Sequence, residues 1–197
     1  MIIKITGFFI LSFTVLSCSS TTRLTDVYVD ETFSGKEMKK ILVLGLAKDE
    51  WKRKVYENEL RTQLLSRNVE VLLAWQELPK GEKLNKESFE KYFKDKNVDA
   101  VLVAIEGGES TDQTLYKGGV SNVYVGFYMS TAAVFYSPSY LAEEKIVHMR
   151  ANLYETKDAK LIWSARSQSY EPKSTKEVIQ AVSHTVVDEL YLQGLIK

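Results

Sequence analysis

The order of residues predicts an α/β (α+β) fold: a mixed β-sheet of about five to six strands with three helices packed on it, running β-α-β-α-β-(insert)-β-β-α. Three features carry this expectation. A continuous apolar run at 41–46 has the length of a strand and the unbroken hydrophobicity of one covered on both faces, and 98–105, apolar but for Asp99, reads as another strand. Between them lie two segments with helical spacing, the arrangement that parallel strands need for their crossovers. After residue 143 the pattern switches to strict alternation and then to a capped helix, which predicts an antiparallel hairpin closing the sheet.

Taken in order, Ile41-Leu42-Val43-Leu44-Gly45-Leu46 is the first covered strand. Residues 49–67 carry Trp51, Val55, Leu60 and Leu64 near helical spacing, and Asn68 is a residue that tolerates the left-handed conformation ending a helix. Val69 to Leu73 is the second strand. A loop with Pro79 and Gly81 leads to a helix capped by Asn85, with Phe89, Tyr92 and Phe93 turned inward. Residues 98–105 are the third strand. In 143–155, Val147, Met149, Ala151 and Leu153 alternate with His148, Arg150 and Asn152, which gives one apolar and one wet face. A turn at 156–159 leads into 160–169, where Leu161, Trp163 and Ala165 share a face. Ser174 followed by Glu177 forms a capping box for a last helix through Val178, Val182, Val186 and Leu190, ended by Gly194. No internal repeat and no second-domain boundary interrupts this order.

The chain has 197 residues, 45% hydrophobic and 26% charged, the balance of a globular protein able to bury its own core. Lys and Arg number 26, as do Asp and Glu. Nucleic-acid binding normally needs a basic excess or stripe, so the composition argues against a nucleic-acid partner. The single cysteine is Cys18, so the folded part uses neither disulfides nor a cysteine zinc site. His148 and His184 have no metal-ligand spacing around them.

The first 17 residues, with Lys4 before an apolar stretch from Ile5 to Leu16, have the length of an export signal. As a helix that stretch spans about 18 Å, well short of the ~30 Å hydrocarbon layer of a bilayer. Val15-Leu16-Ser17-Cys18 resembles the lipobox of bacterial lipoproteins: an aliphatic residue three before a cysteine and a small one just before it. The resemblance implies cleavage before Cys18 and acylation of its sulfur, often with a further acyl chain on its amino group; no other cofactor is expected. Two or three chains hold firmly where one anchors only marginally, at about 0.8 kcal/mol per buried methylene. Ser19 resembles the residue that sends such proteins to the outer membrane. The expected organisation is then a signal peptide at 1–17, a lipidated tether at 18–40 with strand chemistry at Val27-Tyr28-Val29, and one domain at 41–197.

In element order and closing hairpin-helix (Leu153-Tyr154-Glu155, Leu161-Ile162-Trp163-Ser164, Leu195-Ile196), the domain resembles the fold of the TolB amino-terminal domain and of lipoprotein activators of peptidoglycan synthases. Fold alone assigns no function. The insert at 118–142 holds no charged residue and carries Tyr124, Phe127, Tyr128, Phe135, Tyr136 and Tyr140. Three readings fit it: a strand and loop completing the core, a partner-binding surface with tyrosines supplying contact area, or a membrane-facing strand of an oligomeric barrel. Curli-type secretion lipoproteins, which resemble this fold, insert hairpins in the last way.

Catalytic motifs are sparse. Glu106-Gly107-Gly108-Glu109 stands just past a strand end, where α/β sheets often place sites, and Gly-Gly there equally fits a turn. There is no nucleophile elbow, phosphate-binding glycine loop or zinc-protease motif. The expectation is a non-catalytic, lipid-anchored binding or scaffold module on the outer membrane that faces the periplasm and engages another envelope protein. The alternatives are a subunit of an oligomeric secretion pore, or a small enzyme using Glu106, Glu109 and Asp112.

Overall fold

The computed structural model describes residues 22–34, 36–110, 145–170 and 172–197. Cys18, Asp112 and the whole 118–142 insert, with Tyr124, Phe127, Tyr128, Phe135, Tyr136 and Tyr140, lie outside the described residues.

Six strands form one mixed sheet in the order β1-β6-β5-β4-β2-β3. They are β1 (Thr22–Val29), β2 (Lys40–Leu46), β3 (Glu70–Leu73), β4 (Ala100–Ser110), β5 (Ile146–Glu155) and β6 (Leu161–Tyr170). The helices are α1 (Glu50–Ser66), the single turn α2 (Ala74–Glu77), α3 (Lys86–Phe93) and α4 (Thr175–Leu192). β2 pairs in parallel with β3 and β4, and β4, β5, β6 and β1 run antiparallel in turn. The expected α+β class and mixed sheet are therefore present. Val27-Tyr28-Val29, placed in the tether from sequence, belong to β1, an edge strand of the sheet.

Two apolar clusters share the sheet. One lies under α1 and α4, where Leu60, Leu64, Val182 and Leu190 meet Ile41, Val43, Leu102 and Trp163. The other face of β2 and β4, with Leu42, Leu44, Val101 and Val103, is packed against Leu78, Leu84 and Phe93 from α2, α3 and their loop. Strands covered on both sides explain why 41–46 and 100–105 are unbroken apolar runs.

The caps follow the sequence closely. Asn85 accepts from the Ser88 N–H at 2.9 Å while the Ser88 hydroxyl accepts from the Asn85 N–H at 2.9 Å. Ser174 accepts from the Glu177 N–H at 3.2 Å, but the reciprocal carboxylate bond goes to the N–H of Lys173, one residue earlier than a capping box has it. Asn68 sits at φ 57° and Gly194 at φ 69°, as helix ends in the left-handed region.

Three local expectations are corrected. Trp51 is 58% exposed, and the buried face of α1 is made by Tyr56, Glu57, Leu60 and Leu64. Trp51 precedes Leu60 by about two and a half helical turns, which puts it on the opposite side. Asn152 is not wet: its side chain donates to the Tyr154 hydroxyl at 3.1 Å and accepts from Ser164 at 2.7 Å, all buried. A register shift between Leu153 and Tyr154 leaves Ile162 and Trp163 both in the α1/α4 core, so Leu161 packs on the other face.

Candidate functional site

The parallel strands β2 and β4 end beside the first turns of α1 and α4, and a cavity of about 200 Å³ opens there. This is the crevice outside the carboxyl ends of the strands, the usual place for ligands in α/β sheets. Its buried walls are Tyr56, Ala104, Met149, Val178 and Ile179. Its charged rim is Lys52, Arg53, Glu106, Glu109, Lys145 and Lys173.

Glu106 and Glu109 both line the cavity, although strict alternation puts residues three apart in a strand on opposite faces. The reason is a bulge. Glu106 pairs with Met149 and Gly108 with His148, so Gly107 has no partner across the ladder, and the alternation resets by one residue. Gly107-Gly108 is therefore not a turn past a strand end but a bulge inside β4. Each glycine is required for its own reason. A Cβ on Gly107 would stand 2.7 Å from the His148 carbonyl oxygen, and Gly108 has φ +99°.

The two carboxylates are both paired. Lys52 Nζ lies 2.6 Å from Glu106, and Lys145 Nζ lies 3.3 Å from Glu109. The Glu106 carboxylate beside Lys52 holds the ammonium above the ordinary lysine value, against a smaller pull from burial. Lys173 makes no side-chain ion pair or hydrogen bond among the described residues, leaving its charge unspent at the rim.

Beneath the rim lies a carboxylate that the sequence does not announce. Glu57 is fully buried and accepts from the Gly45 N–H, the Arg53 Nε–H and the Trp75 N–H, each at 3.0 Å. It ties the end of β2, the body of α1 and the start of α2 into one unit. Burial pushes its carboxyl above the ordinary glutamate value, and the two backbone donors and Arg53 oppose that shift. Arg53-x-x-x-Glu57 reads in sequence as a solvated helical pair. The signal that could have found it is the Tyr56-Leu60-Leu64 stripe, which brings Glu57 along on the buried side.

Tyr56 is the second residue missed. It lines the cavity, is 4% exposed, and its hydroxyl has no hydrogen-bond partner among the described residues. Burial raises its phenol well above the usual tyrosine value, so the group is a neutral donor.

No family model and no curated protein matches the chain. Among solved structures it is similar to a dodecamer of a PelC point variant from Paraburkholderia phytofirmans, at 13% identity over 84% of this chain and 96% of that one, with a TM-score of 0.44. A second PelC dodecamer from the same organism gives 14% identity, 87% and 96% coverage and a TM-score of 0.43. A PDZ domain protein from Parabacteroides distasonis gives 12% identity over 87% of this chain but 37% of that one, with a TM-score of 0.43. Likeness at this level transfers no residue roles.

Of the other residues singled out from sequence, His184 sits exposed on α4, with Nε2 3.2 Å from Asp188, and His148 lies on β5. Burial lowers the His148 pKa, with the Arg166 charge adding to the effect. Among the described residues no group of three or more His, Cys, Asp or Glu converges as a metal site, and no helix is long and apolar enough to cross a membrane.

Proposed function

We propose that the protein is a lipid-anchored, periplasm-facing binding module of the cell envelope, with no catalytic chemistry of its own. The observation that carries the binding reading is the cleft at the strand ends, whose two carboxylates are each committed to a lysine. A general base must be free to take a proton from a substrate, whereas a cleft with a buried apolar wall and a charge-paired rim is suited to holding a ligand. The anchor rests on the lipobox resemblance at Val15-Leu16-Ser17-Cys18, and the aromatic insert at 118–142 supplies the second contact surface, toward an envelope protein.

Photo-crosslinking residues placed at Tyr124, Tyr128 and Tyr136 should each capture the same envelope protein in intact cells. Labelled fatty acid should enter the wild type and be absent from Cys18→Ala, which should accumulate uncleaved. Labelling that persists in that variant removes the anchor. Crosslinks that join only identical chains, in a detergent-stable assembly, replace the heterotypic partner with the pore-subunit reading.

A further inference from the structure

Thr22 opens the sheet four residues after Cys18, and its level can be followed from strand to strand. It pairs with Ser169, Ser169 with Val147, and Val147 with Glu109, so the rim of the cavity stands level with it. Leu46, the last residue of β2, is level with Thr25 through Ile105, Arg150 and Arg166, and residues 47–49 carry the chain on to α1. Tyr170, which ends β6, lies one residue beyond the level of Thr22, and α4 starts at Thr175. The first turns of α1 and α4 are therefore at the Thr22 end of the sheet. Their last turns, joined by the Arg67–Asp188 pair, are at the other end with Val29.

The Thr22 end carries a tryptophan that the core does not use. Trp51, in the first turn of α1, is 58% exposed, whereas Trp163 is fully buried and Trp75 packs against the α1/α4 core. Arg23, Lys48, Lys173 and Lys176 belong to the same end, all exposed and without an ion pair among the described residues. The acids of this end are occupied. Glu50 pairs with Lys54, Glu106 with Lys52 and Glu109 with Lys145; Asp49 lies 3.7 Å from Lys52, and Glu177 accepts from the Lys173 N–H. An exposed indole among unspent cations is the mixture of side chains that suits the headgroup level of a bilayer.

We infer that this end of the domain docks on a phospholipid surface, with Trp51 in the headgroup layer and Arg23, Lys48, Lys173 and Lys176 facing lipid phosphates. The inference rests on the lipid-anchor reading, because the tether selects the end. More apolar side chains are exposed at the opposite end, where Leu65, Tyr191 and Leu192 stand in the last turns of α1 and α4. Docking by that end alone would lift Thr22 about 23 Å from the lipid, at ~3.3 Å per residue along β1. Four residues of tether reach at most about 14 Å, and they start from a cysteine whose acyl chains lie below the headgroups. The tether thus brings the Trp51 end to the membrane and keeps the Leu192 end from docking by itself.

The test uses the full-length lipidated protein in vesicles of phosphatidylcholine and phosphatidylglycerol whose acyl chains carry bromine close to the headgroup. Flotation with the vesicles reads the anchor, and bromine quenching of tryptophan emission reads the docking. The wild type should float and be quenched. Trp51→Phe should float equally, keep the wild-type thermal midpoint and lose about fivefold or more of the quenching, since Trp163 is buried. Replacing phosphatidylglycerol by phosphatidylcholine should weaken the wild-type quenching about twofold, and unchanged quenching overturns the part given to the cations. A second reporter separates the two ends. Cys18 is the single cysteine and its sulfur carries the lipid in the anchored protein, so Lys48→Cys and Leu192→Cys each offer one thiol for an environment-sensitive dye. The dye at position 48 should brighten on reconstitution, and the dye at position 192 should not. A wild type that floats with Trp51 unquenched overturns the docking, leaves the anchor standing and frees this end for a protein. A response at position 192, alone or together with one at 48, overturns the choice of end. A wild type that fails to float overturns the anchor, and the inference with it.

Discussion

Glu57 is fully buried, and three N–H groups from three different elements aim at its two oxygens. Loss of any acceptor there strands buried donors, each at a cost of about 1–3 kcal/mol. Glu57→Gln keeps the shape but turns one acceptor into an NH₂ facing an N–H, so it should destabilise the fold by about 1–3 kcal/mol in urea unfolding. The pH dependence has a definite sign. Burial raises the folded-state pKa above the unfolded one, so the folded protein holds this proton more tightly. Stability from this group is therefore fully present below the ordinary glutamate value and declines as pH rises through the raised one. Unfolding free energies measured from pH 4 upward should show that decline in the wild type and lack it in Glu57→Gln. An equal slope in both proteins assigns the decline to other groups.

The bulge in β4 is the local feature on which the cleft depends. Without it Glu109 would face the α2/α3 side and Glu106 alone would stand at the cavity mouth. Gly107→Ala puts a methyl against the His148 carbonyl, a backbone atom that moves only if β5 moves, so overpacking of about 1–3 kcal/mol is expected. The check is a lower urea midpoint than wild type, together with Lys145 and Lys52 no longer sharing one cavity in a structure of the variant. Most of the fold is legible in the sequence because it repeats: Leu60 and Leu64, Val178 to Leu190, and Val147 to Leu153 each obey a period that burial imposes. The bulges at Gly107 and Ile162 are not, since alternation assumes one residue per partner and nothing in residue type says where that count slips. The cleft was half legible for the same reason. Glu106 and Glu109 could be singled out at a strand end, but their shared face follows from the bulge, and Tyr56 and Glu57 become functional candidates only once their burial is known.

Across the whole molecule, β1 joins the N-terminal segment to the antiparallel half of the sheet through β6. Since the sheet begins at Thr22, only residues 19–21 separate it from Cys18, a reach of at most about 14 Å when extended. An acylated Cys18 would therefore hold this edge of the domain close to the bilayer instead of on a long leash. The exit from β1 is locked by Asp30. Its N–H donates to the Ile162 carbonyl at 2.9 Å, its carboxylate accepts from the Thr32 N–H at 3.0 Å and the Thr32 hydroxyl at 2.7 Å, and Lys160 pairs with it. The Lys160 ammonium, followed by the Thr32 hydroxyl, pulls the Asp30 pKa from 3.8 down to about 2. The sign is opposite to that of Glu57. Stability from Asp30 is present above its ordinary value and is lost as pH falls from 3.8 toward about 2. Acid unfolding should thus start at the β1 edge, and the protection of its amides against hydrogen exchange, relative to the intrinsic rate at each pH, should fall in that window before that of β2 and β4 does. Asp30→Asn removes the titrating group, so its β1 amides should be less protected than wild type at pH 6, and their protection should change much less between pH 4 and 2. A variant whose β1 protection tracks the wild type throughout would show that the edge is held by its strand pairing with β6 alone.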